Sequence, residues 1–348
     1  QGNDGGNSYH SGTATTAVDK TVIIGRAAGQ ANMTAAADGT IGIGYSALTA
    51  LTLGGYNTSV GYRSSTALVD GSSNTSLGYD SLLALTGGAS NVAIGAASFK
   101  SAAVGETGNV IIGHGAADLF DEGTAGGDID YNIAIGYDAL AGADLQVQGN
   151  IAIGAFALDA TSTNAQTGTI AIGHQALTAL TGGVQNTVIG YQAADGLTTG
   201  HYNTVLGYDA LGNATTQADQ NTAIGRGAMS GAIVAEDLNF CVAVGDLAMS
   251  GALDAAASGS VALGKSALAA LTSGAGNTAV GYTAGTAITT GANNTALGYT
   301  ALITANSGES YNTVIGWEAG KTTDHPSTDH NVFIGAKAGY GQTGYSLG

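Results

Sequence analysis

The chain has 348 residues, among them 58 glycines, one proline, five phenylalanines and one tryptophan. So few large side chains exclude a thick globular core, and the abundance of small residues predicts a thin one. The formal net charge of −17 disfavours nucleic acid and anionic lipid surfaces as partners, because both carry charge of the same sign.

Cysteine usage and hydropathy narrow the class of protein further. Cys241 is the only cysteine, so we expect no disulfide within the chain. No apolar segment approaches the roughly 20 residues needed to span a bilayer, which predicts no direct membrane insertion. Gln1 to Gly6 lack the basic and apolar regions of a signal peptide, so we expect any targeting signal or anchor to have been removed or to belong to another chain.

A motif similar to Asn-Thr-Ala-Ile-Gly-Tyr recurs eighteen times, at a spacing of 17 to 23 residues. Its glycine stands at Gly25, Gly44, Gly61, Gly78, Gly95, Gly113, Gly136, Gly154, Gly173, Gly190, Gly207, Gly225, Gly245, Gly264, Gly281, Gly298, Gly316 and Gly335. A regular period of this length is typical of stacked repeats. We predict a mainly β fold, a continuous parallel β-solenoid of about 18 coils over residues 21–339, with caps or connectors at 1–20 and 340–348.

Each copy begins with a short predicted strand. The residues one and three positions before the glycine are aliphatic or threonine in all eighteen copies, and the residue between them is usually Ala, Ser or Val. Residues two apart in a strand share one face. We therefore expect the aliphatic face to be buried and the small residues to allow another surface to approach closely.

Asparagine and glycine predict an internal ladder. Asn stands four residues before the glycine in thirteen of eighteen copies. Stacked amides can donate to one coil and accept from the next, and the glycine suits a turn with positive φ. We predict structural roles for Asn91, Asn150, Asn221, Asn294, Gly95, Gly154, Gly225 and Gly298.

The residue after the glycine is Tyr in eight copies and Trp317 in one, and a variable residue and Ala or Ser follow it. A Leu often comes next, and several units add an apolar residue three positions further on, as at Leu48 and Leu51. That spacing favours a short helical turn in each coil, with a second strand as the alternative. Linkers of Gly, Thr, Asn and Ser complete each coil. One narrow coil encloses little apolar area, so we expect a homo-oligomer, with a trimer favoured.

The units at 91–95, 150–154 and 221–225 resemble the head repeats of YadA-like trimeric autotransporter adhesins, and also the repeats of bacteriophage tail fibres. The resemblance covers about residues 21 to 339. It implies a left-handed β-roll three chains wide that binds host-cell, glycan or matrix surfaces. The units are longer than the usual head repeat, and the chain has neither a heptad stalk nor a C-terminal membrane-barrel segment.

Aromatic residues that follow the glycine are candidates for surface binding: Tyr137, Tyr191, Tyr208, Tyr282, Tyr299 and Trp317. The alternative is a stacking ladder between coils, which their regular spacing favours.

Acidic residues in the longest insertion are weak candidates for a structural Ca²⁺ site: Asp118, Asp121, Glu122, Asp128 and Asp130. The alternative is a solvated acidic loop. Two Asp-His pairs, at 324–325 and 329–330, could ligate a transition metal, although a surface turn is the simpler interpretation.

Motifs of the common enzyme classes are absent from the sequence, and we expect no catalysis and no cofactor. We predict an extracellular adhesin or attachment fibre on a bacterial surface or a virion tail. The alternative is a purely structural filament. Ice binding would use the threonines of the strand column, which only eight of eighteen copies carry. A glycan-cleaving solenoid would need paired carboxylates in a groove.

Overall fold

The computed structural model of the protein describes residues 20–119, 129–142, 147–160, 166–214, 217–233, 238–305, 308–321 and 329–340. The chain divides into two compact units, Gln1–His174 and Gln175–Gly348. Each unit is a parallel β-solenoid, and together the units contain about 16 turns, which confirms the predicted fold class. The continuity of one solenoid over 21–339 stays a prediction.

The first unit has nine strands of three residues and three strands of two residues. They are β1 (Val22–Ile24), β2 (Ile41–Ile43), β3 (Thr58–Val60), β4 (Thr75–Leu77), β5 (Val92–Ile94), β6 (Val110–Ile112), β7 (Ile129–Asp130), β8 (Ile133–Ile135), β9 (Val147–Gln148), β10 (Ile151–Ile153), β11 (Gln166–Thr167) and β12 (Ile170–Ile172). One 3-10 helix spans Ala35–Ala37.

The second unit again has nine strands of three residues, with two strands of two residues. They are β13 (Thr187–Ile189), β14 (Thr204–Leu206), β15 (Ala218–Asp219), β16 (Thr222–Ile224), β17 (Leu238–Asn239), β18 (Val242–Val244), β19 (Val261–Leu263), β20 (Thr278–Val280), β21 (Thr295–Leu297), β22 (Thr313–Ile315) and β23 (Val332–Ile334). A second 3-10 helix spans Ala255–Ala257.

Each strand pairs in parallel with its counterpart in the next coil, so that residues at equivalent positions of the repeat lie opposite each other. In β10, for example, Ile151 lies between Ile133 and Ile170. The turns are bonded in the same way, since the N–H of Gly136 donates to the carbonyl of Ile112 at 2.8 Å. Every coil thus serves as the template for the next, which is why a period in the sequence becomes a ladder in space.

The core reverses the orientation predicted for the strands. The middle residue points inward, as at Ala93, Ala134 and Ala152, and is fully buried, whereas the first and third residues face outward and are partly exposed. A coil of this size has a narrow interior, so most strands carry Gly, Ala or Ser where they face it, although Ile111, Val188 and Val314 are also fully buried there. Leucines from the turns, such as Leu48 and Leu51, fill the remainder.

Buried asparagines form the predicted ladder. The Oδ1 atom of Asn91 accepts hydrogen bonds from the backbone N–H of Asn109 at 3.0 Å and from its Nδ2 at 3.1 Å. The Nδ2 atom of Asn91 donates to Asn74 Oδ1 at 3.0 Å and to the carbonyl of Glu106 at 2.6 Å. The ladder satisfies amide groups that would be costly to bury alone.

Two features of the structure, the backbone φ and the distance to the next coil, require a glycine at the end of the strand. Gly154 has φ +133°, and a Cβ placed on it would lie 2.4 Å from the carbonyl oxygen of Gly173 in the next coil. Residues with a Cβ disfavour this conformation, and the contact is shorter than any Cβ tolerates. The predicted role of the glycine is confirmed.

The predicted helical turn is wrong. After each glycine, the second and fourth residues have positive φ, as at Ser46 (54°) and Leu48 (52°), and the segment is a run of turns. Because left-handed residues alternate with others, no helical hydrogen-bond pattern can form. The alternation nevertheless turns Ala47 and Leu48 inward, and both are fully buried.

Candidate functional site

The first and third residues of the eighteen three-residue strands form what we call the strip. It consists of Val, Ile, Leu and Thr only, without a charged residue, in a chain of net charge −17. Leu77, Leu206 and Leu297 are 47%, 46% and 44% exposed. The strip is therefore a regular apolar surface on each unit, which is the kind of surface that marks an interaction site.

The ring column comprises the residues directly after the strand glycine, and it contains all six predicted surface-binding aromatics. Tyr282 and Tyr299 are stacked with ring centroids 5.2 Å apart, and Tyr191 and Tyr208 at 5.6 Å. Tyr137 stacks on His114 at 5.3 Å. Stacking agrees with the alternative of a ladder between coils, because neighbouring rings cover each other's faces and leave mainly edges and hydroxyls to solvent.

Trp317 belongs to a mixed cluster in the second unit. The Nζ atom of Lys337 lies 4.8 Å from the centroid of the indole ring and 5.4 Å from that of Tyr340. Glu318 pairs with Lys321 at 2.8 Å and with Lys337 at 3.9 Å. The indole is 48% exposed, but a cation already occupies one of its faces.

Ion pairs lie within the ring column and in the column next to it. Arg63 Nε donates to Asp80 Oδ1 at 2.8 Å, and the guanidinium lies 5.4 Å from the Tyr62 ring and 5.9 Å from the Tyr79 ring. The hydrogen bond to Asp80 raises the pKa of Arg63 above its ordinary value. Arg226 and Lys265 pair similarly with Asp246. Basic side chains thus serve the ladder and do not form a free basic patch.

A second set of exposed aromatics lies directly before the ladder position, which is asparagine in four of these coils and Cys241 in the fifth. Sequence reasoning found no candidate there. These residues are Tyr56, Tyr131, Tyr202, Phe240 and Tyr311, with exposed fractions from 51% to 72%. Their φ angles lie between 58° and 60°. The available signal was the position itself, since a left-handed conformation favours Gly or Asn and a bulky ring is unusual there.

The acidic candidates for calcium do not converge on a metal site. Asp130 Oδ1 accepts the backbone N–H of Thr107 at 2.6 Å, so this carboxylate ties one coil to the previous one. Asp118 Oδ1 is buried without a hydrogen-bond partner among the described residues, while Asp121, Glu122 and Asp128 lie outside them. Among the described residues, no group of three or more His, Cys, Asp or Glu is arranged to hold a metal.

The Asp-His pairs near the C-terminus are only half described. Asp329 Oδ1 accepts the N–H of Ser310 at 2.7 Å, and His330 stacks on Tyr311 at 4.8 Å. Both residues act between coils, in keeping with the surface-turn interpretation. Asp324 and His325 lie outside the described residues.

Three acids have pKa values raised mainly by burial. Glu106 points into the core, where Oε1 accepts the N–H groups of Ala103 at 2.8 Å and Val104 at 3.2 Å and Oε2 is buried without a hydrogen-bond partner in the described chain. Asp195 and Asp209 are also raised by desolvation, and the charge of Asp209 raises the pKa of Asp195 further. Each carboxylate is less stable ionised here than in water.

These features define a parallel β-solenoid repeat protein whose outer columns carry its candidate sites. Comparison with known proteins finds no matching family model, no matching curated protein and no matching solved structure. Among the described residues, no helix has the length and apolarity to cross a membrane.

Proposed function

We propose that this chain is a segment of an extracellular attachment fibre, homotrimeric and without catalysis, that binds a host-cell, glycan or matrix surface. One observation carries the proposal. Phe99 is the only buried aromatic among the described residues, whereas thirteen tyrosines, Phe240 and Trp317 are exposed. Aromatic side chains stabilise a core when buried and mark binding surfaces when exposed, so their placement here supports a function at the surface.

The strip supports self-association. Nine coils at about 4.8 Å each, with a width of roughly 10 Å, give a strip on the order of 400 Å² per unit. The strip of each unit is thus about half of one partner's share, about 800 Å², of a standard stable interface. A trimer buries this uncharged surface on every chain, and it reconciles the outward aliphatic residues with their hydrophobic character.

Solution mass tests the trimer, and two lysine variants test the strip. Leu77 lies in the strip and is 47% exposed, while Leu53 lies in a turn outside it and is 49% exposed. We expect the wild type to have the mass of three chains by light scattering, Leu77→Lys to weaken or abolish the trimer, and Leu53→Lys to retain it. A monomeric or dimeric wild type would refute the trimer, and equal behaviour of the two variants would refute the role of the strip.

Attachment is tested by binding the labelled wild type to cells, glycan arrays and matrix proteins, with a bare surface as the control. We expect saturable binding to at least one surface, and weaker binding by the Leu77→Lys variant because loss of the trimer removes avidity. Absence of binding to every surface would refute attachment. It would favour a structural filament. The stacked tyrosines are consistent with a filament, because stacking covers their ring faces. A bacterial surface and a virion tail are both compatible carriers.

A further inference from the structure

The two-residue strands of the first unit place a polar row beside an exposed ring. Strands β7, β9 and β11 pair in parallel, with Asp130 opposite Gln148 and Gln148 opposite Thr167. Ile129 and Val147 point into the core, so the paired polar residues face outward. The residue that follows Asp130 is Tyr131, which is 63% exposed.

Tyr131 lies between two glycines of its own column. Its ring atoms Cδ1 and Cε1 lie 2.8 and 3.0 Å from the point where Gly108 would carry a Cβ, so the ring leans over the preceding coil. In the following coil the same position is Gly149, and no described atom comes within 4 Å of a Cβ built there. Within the described part of the chain, the free side of the ring therefore faces an open notch, in contrast to the ring column, where the next ring fills that space.

The second unit repeats this arrangement. Phe240 is 63% exposed, and the next residue in its column is Gly259, which again has no described atom within 4 Å of a built Cβ. A polar row runs beside it, since Asn239 Oδ1 accepts the N–H of Asp219 at 2.9 Å and Ser258 Oγ accepts the N–H of Asn239 at 3.1 Å. The combination of ring, open glycine and polar row thus occurs once in each unit.

The backbone conformation at Tyr131 and Phe240 is unfavourable for a residue that carries a Cβ. Tyr131 has φ 58° and Phe240 has φ 60°, a region that costs a residue with a Cβ on the order of 1 kcal/mol or more. Gly108, Gly149 and Gly259 occupy the same position in other coils with φ 72°, 66° and 74°. Glycine fits there without strain, and the ring of Tyr131 or Phe240 instead adds an exposed apolar face beside the open glycine of the next coil, where a partner could pack.

From these contacts we infer that the two notches bind neutral pyranose rings of a glycan, an inference that rests on the proposed attachment function and names its ligand class. The C–H face of a pyranose packs on an exposed aromatic face, and its hydroxyls need donors and acceptors beside it. Tyr131 and Phe240 offer the faces. Asp130, Gln148 and Thr167 in one unit and Asp219 and Asn239 in the other offer the polar groups, the two carboxylates through Oδ2, since Oδ1 of each accepts a backbone N–H of the preceding coil.

The negative charge beside the notches favours neutral sugars over acidic ones. The carboxylates of Asp130 and Asp219 border the notches, and the chain carries a net charge of −17. An acidic sugar would be repelled, whereas a neutral hydroxyl can donate a hydrogen bond to a carboxylate.

Saturation-transfer NMR on the full chain tests the inference. The probes are methyl glycosides of glucose, galactose, mannose and N-acetylglucosamine, with N-acetylneuraminic acid as the charged control. We expect transfer to the ring protons of at least one neutral glycoside and none to the acidic sugar. No transfer to any neutral glycoside would overturn the inference, and equal transfer to the acidic sugar would overturn its charge selectivity.

Two double variants test the notches by different changes. Tyr131→Ala with Phe240→Ala removes the rings, and Gly149→Asn with Gly259→Asn fills the notches while keeping the rings. Asparagine tolerates this conformation, as Asn293 shows in the same column with φ 59°. We expect both variants to bind the selected glycoside at least about tenfold more weakly, a change readily separated from measurement error.

The matched control is Tyr202→Ala with Tyr311→Ala, which removes rings from the same column where the next residue is Gln220 or His330. This control should bind the glycoside like the wild type. Equal loss in the control and the notch variants would overturn the inference. Circular dichroism confirms folding, and the glycine pair supplies a second variant if the alanine pair fails to fold.

The same proteins in the surface-binding assay separate the two proposals. If the notch variants attach to surfaces as well as the wild type and none binds the glycoside, the carbohydrate inference fails and attachment stands. If the wild type binds the glycoside through the notches but attaches to no surface, attachment fails and the notches stand.

Discussion

Replacement of Asn91 by alanine removes one rung of the buried ladder. The side chain makes four hydrogen bonds, two through Oδ1 to Asn109 and two through Nδ2, to Asn74 and to the carbonyl of Glu106. Asn74 Oδ1 keeps a second donor, the backbone N–H of Asn91 at 3.0 Å. The backbone N–H of Asn109 and the carbonyl of Glu106 lose the hydrogen bonds that Asn91 supplies.

The expected loss of folding free energy in Asn91→Ala follows from those two groups. A buried polar group left without a partner costs about 1 to 3 kcal/mol, so two such groups give a loss of about 2 to 6 kcal/mol. Water entering the space left by the amide would bring the loss toward the lower value. Native proteins are stable by about 5 to 15 kcal/mol in total, so the variant should lose a large part of its stability.

Urea unfolding followed by circular dichroism measures the difference. The control is Asn213→Ala, which removes an exposed asparagine whose Nδ2 donates to the carbonyl of Ser230 at 2.7 Å, and which should change the free energy of unfolding by about 0.5 kcal/mol or less. A loss at Asn91 no larger than that at Asn213 would refute the reasoning that the ladder satisfies buried groups.

Two further predictions concern the glycines and a buried acid. Gly316→Ala places a Cβ 2.4 Å from the carbonyl oxygen of Gly335. Gly335→Ala places a Cβ with no described atom within 4 Å, so only the φ of +122° disfavours that substitution. In thermal unfolding, Gly316→Ala should therefore be clearly the more destabilising, and equal losses would show that conformation alone selects the glycine. Glu106→Gln should raise stability near neutral pH, because burial raises the folded-state pKa of this acid and its ionisation destabilises the fold. Wild-type stability should fall as pH rises through that pKa and the variant should lack this loss; a variant less stable than the wild type at pH 7 would contradict the sign.

Sequence reasoning predicted the solenoid, the asparagine ladder and the role of the glycine, because each depends on a column that repeats. It assigned the wrong faces to the strand, since alternation shows which residues share a face but not which face is inside. The narrow coil decides that question, because most strands place a small residue such as Ala152 inward and only some place a larger one such as Ile111 there. The turn was missed because left-handed residues such as Ser46 and Leu48 carry no glycine to mark them.

The same narrow interior accounts for where binding residues can lie. A coil filled mainly by alanine and leucine leaves the first and third residues of its strand and most of its rings outside, so the repeat itself creates an apolar strip and a stacked ring column. Both are periodic, and a periodic column is explained by contact between coils or between identical chains. Selectivity for a ligand has to come from positions where the period is broken. Tyr131 and Phe240 are such positions, because each ring is followed by an open glycine one coil further on.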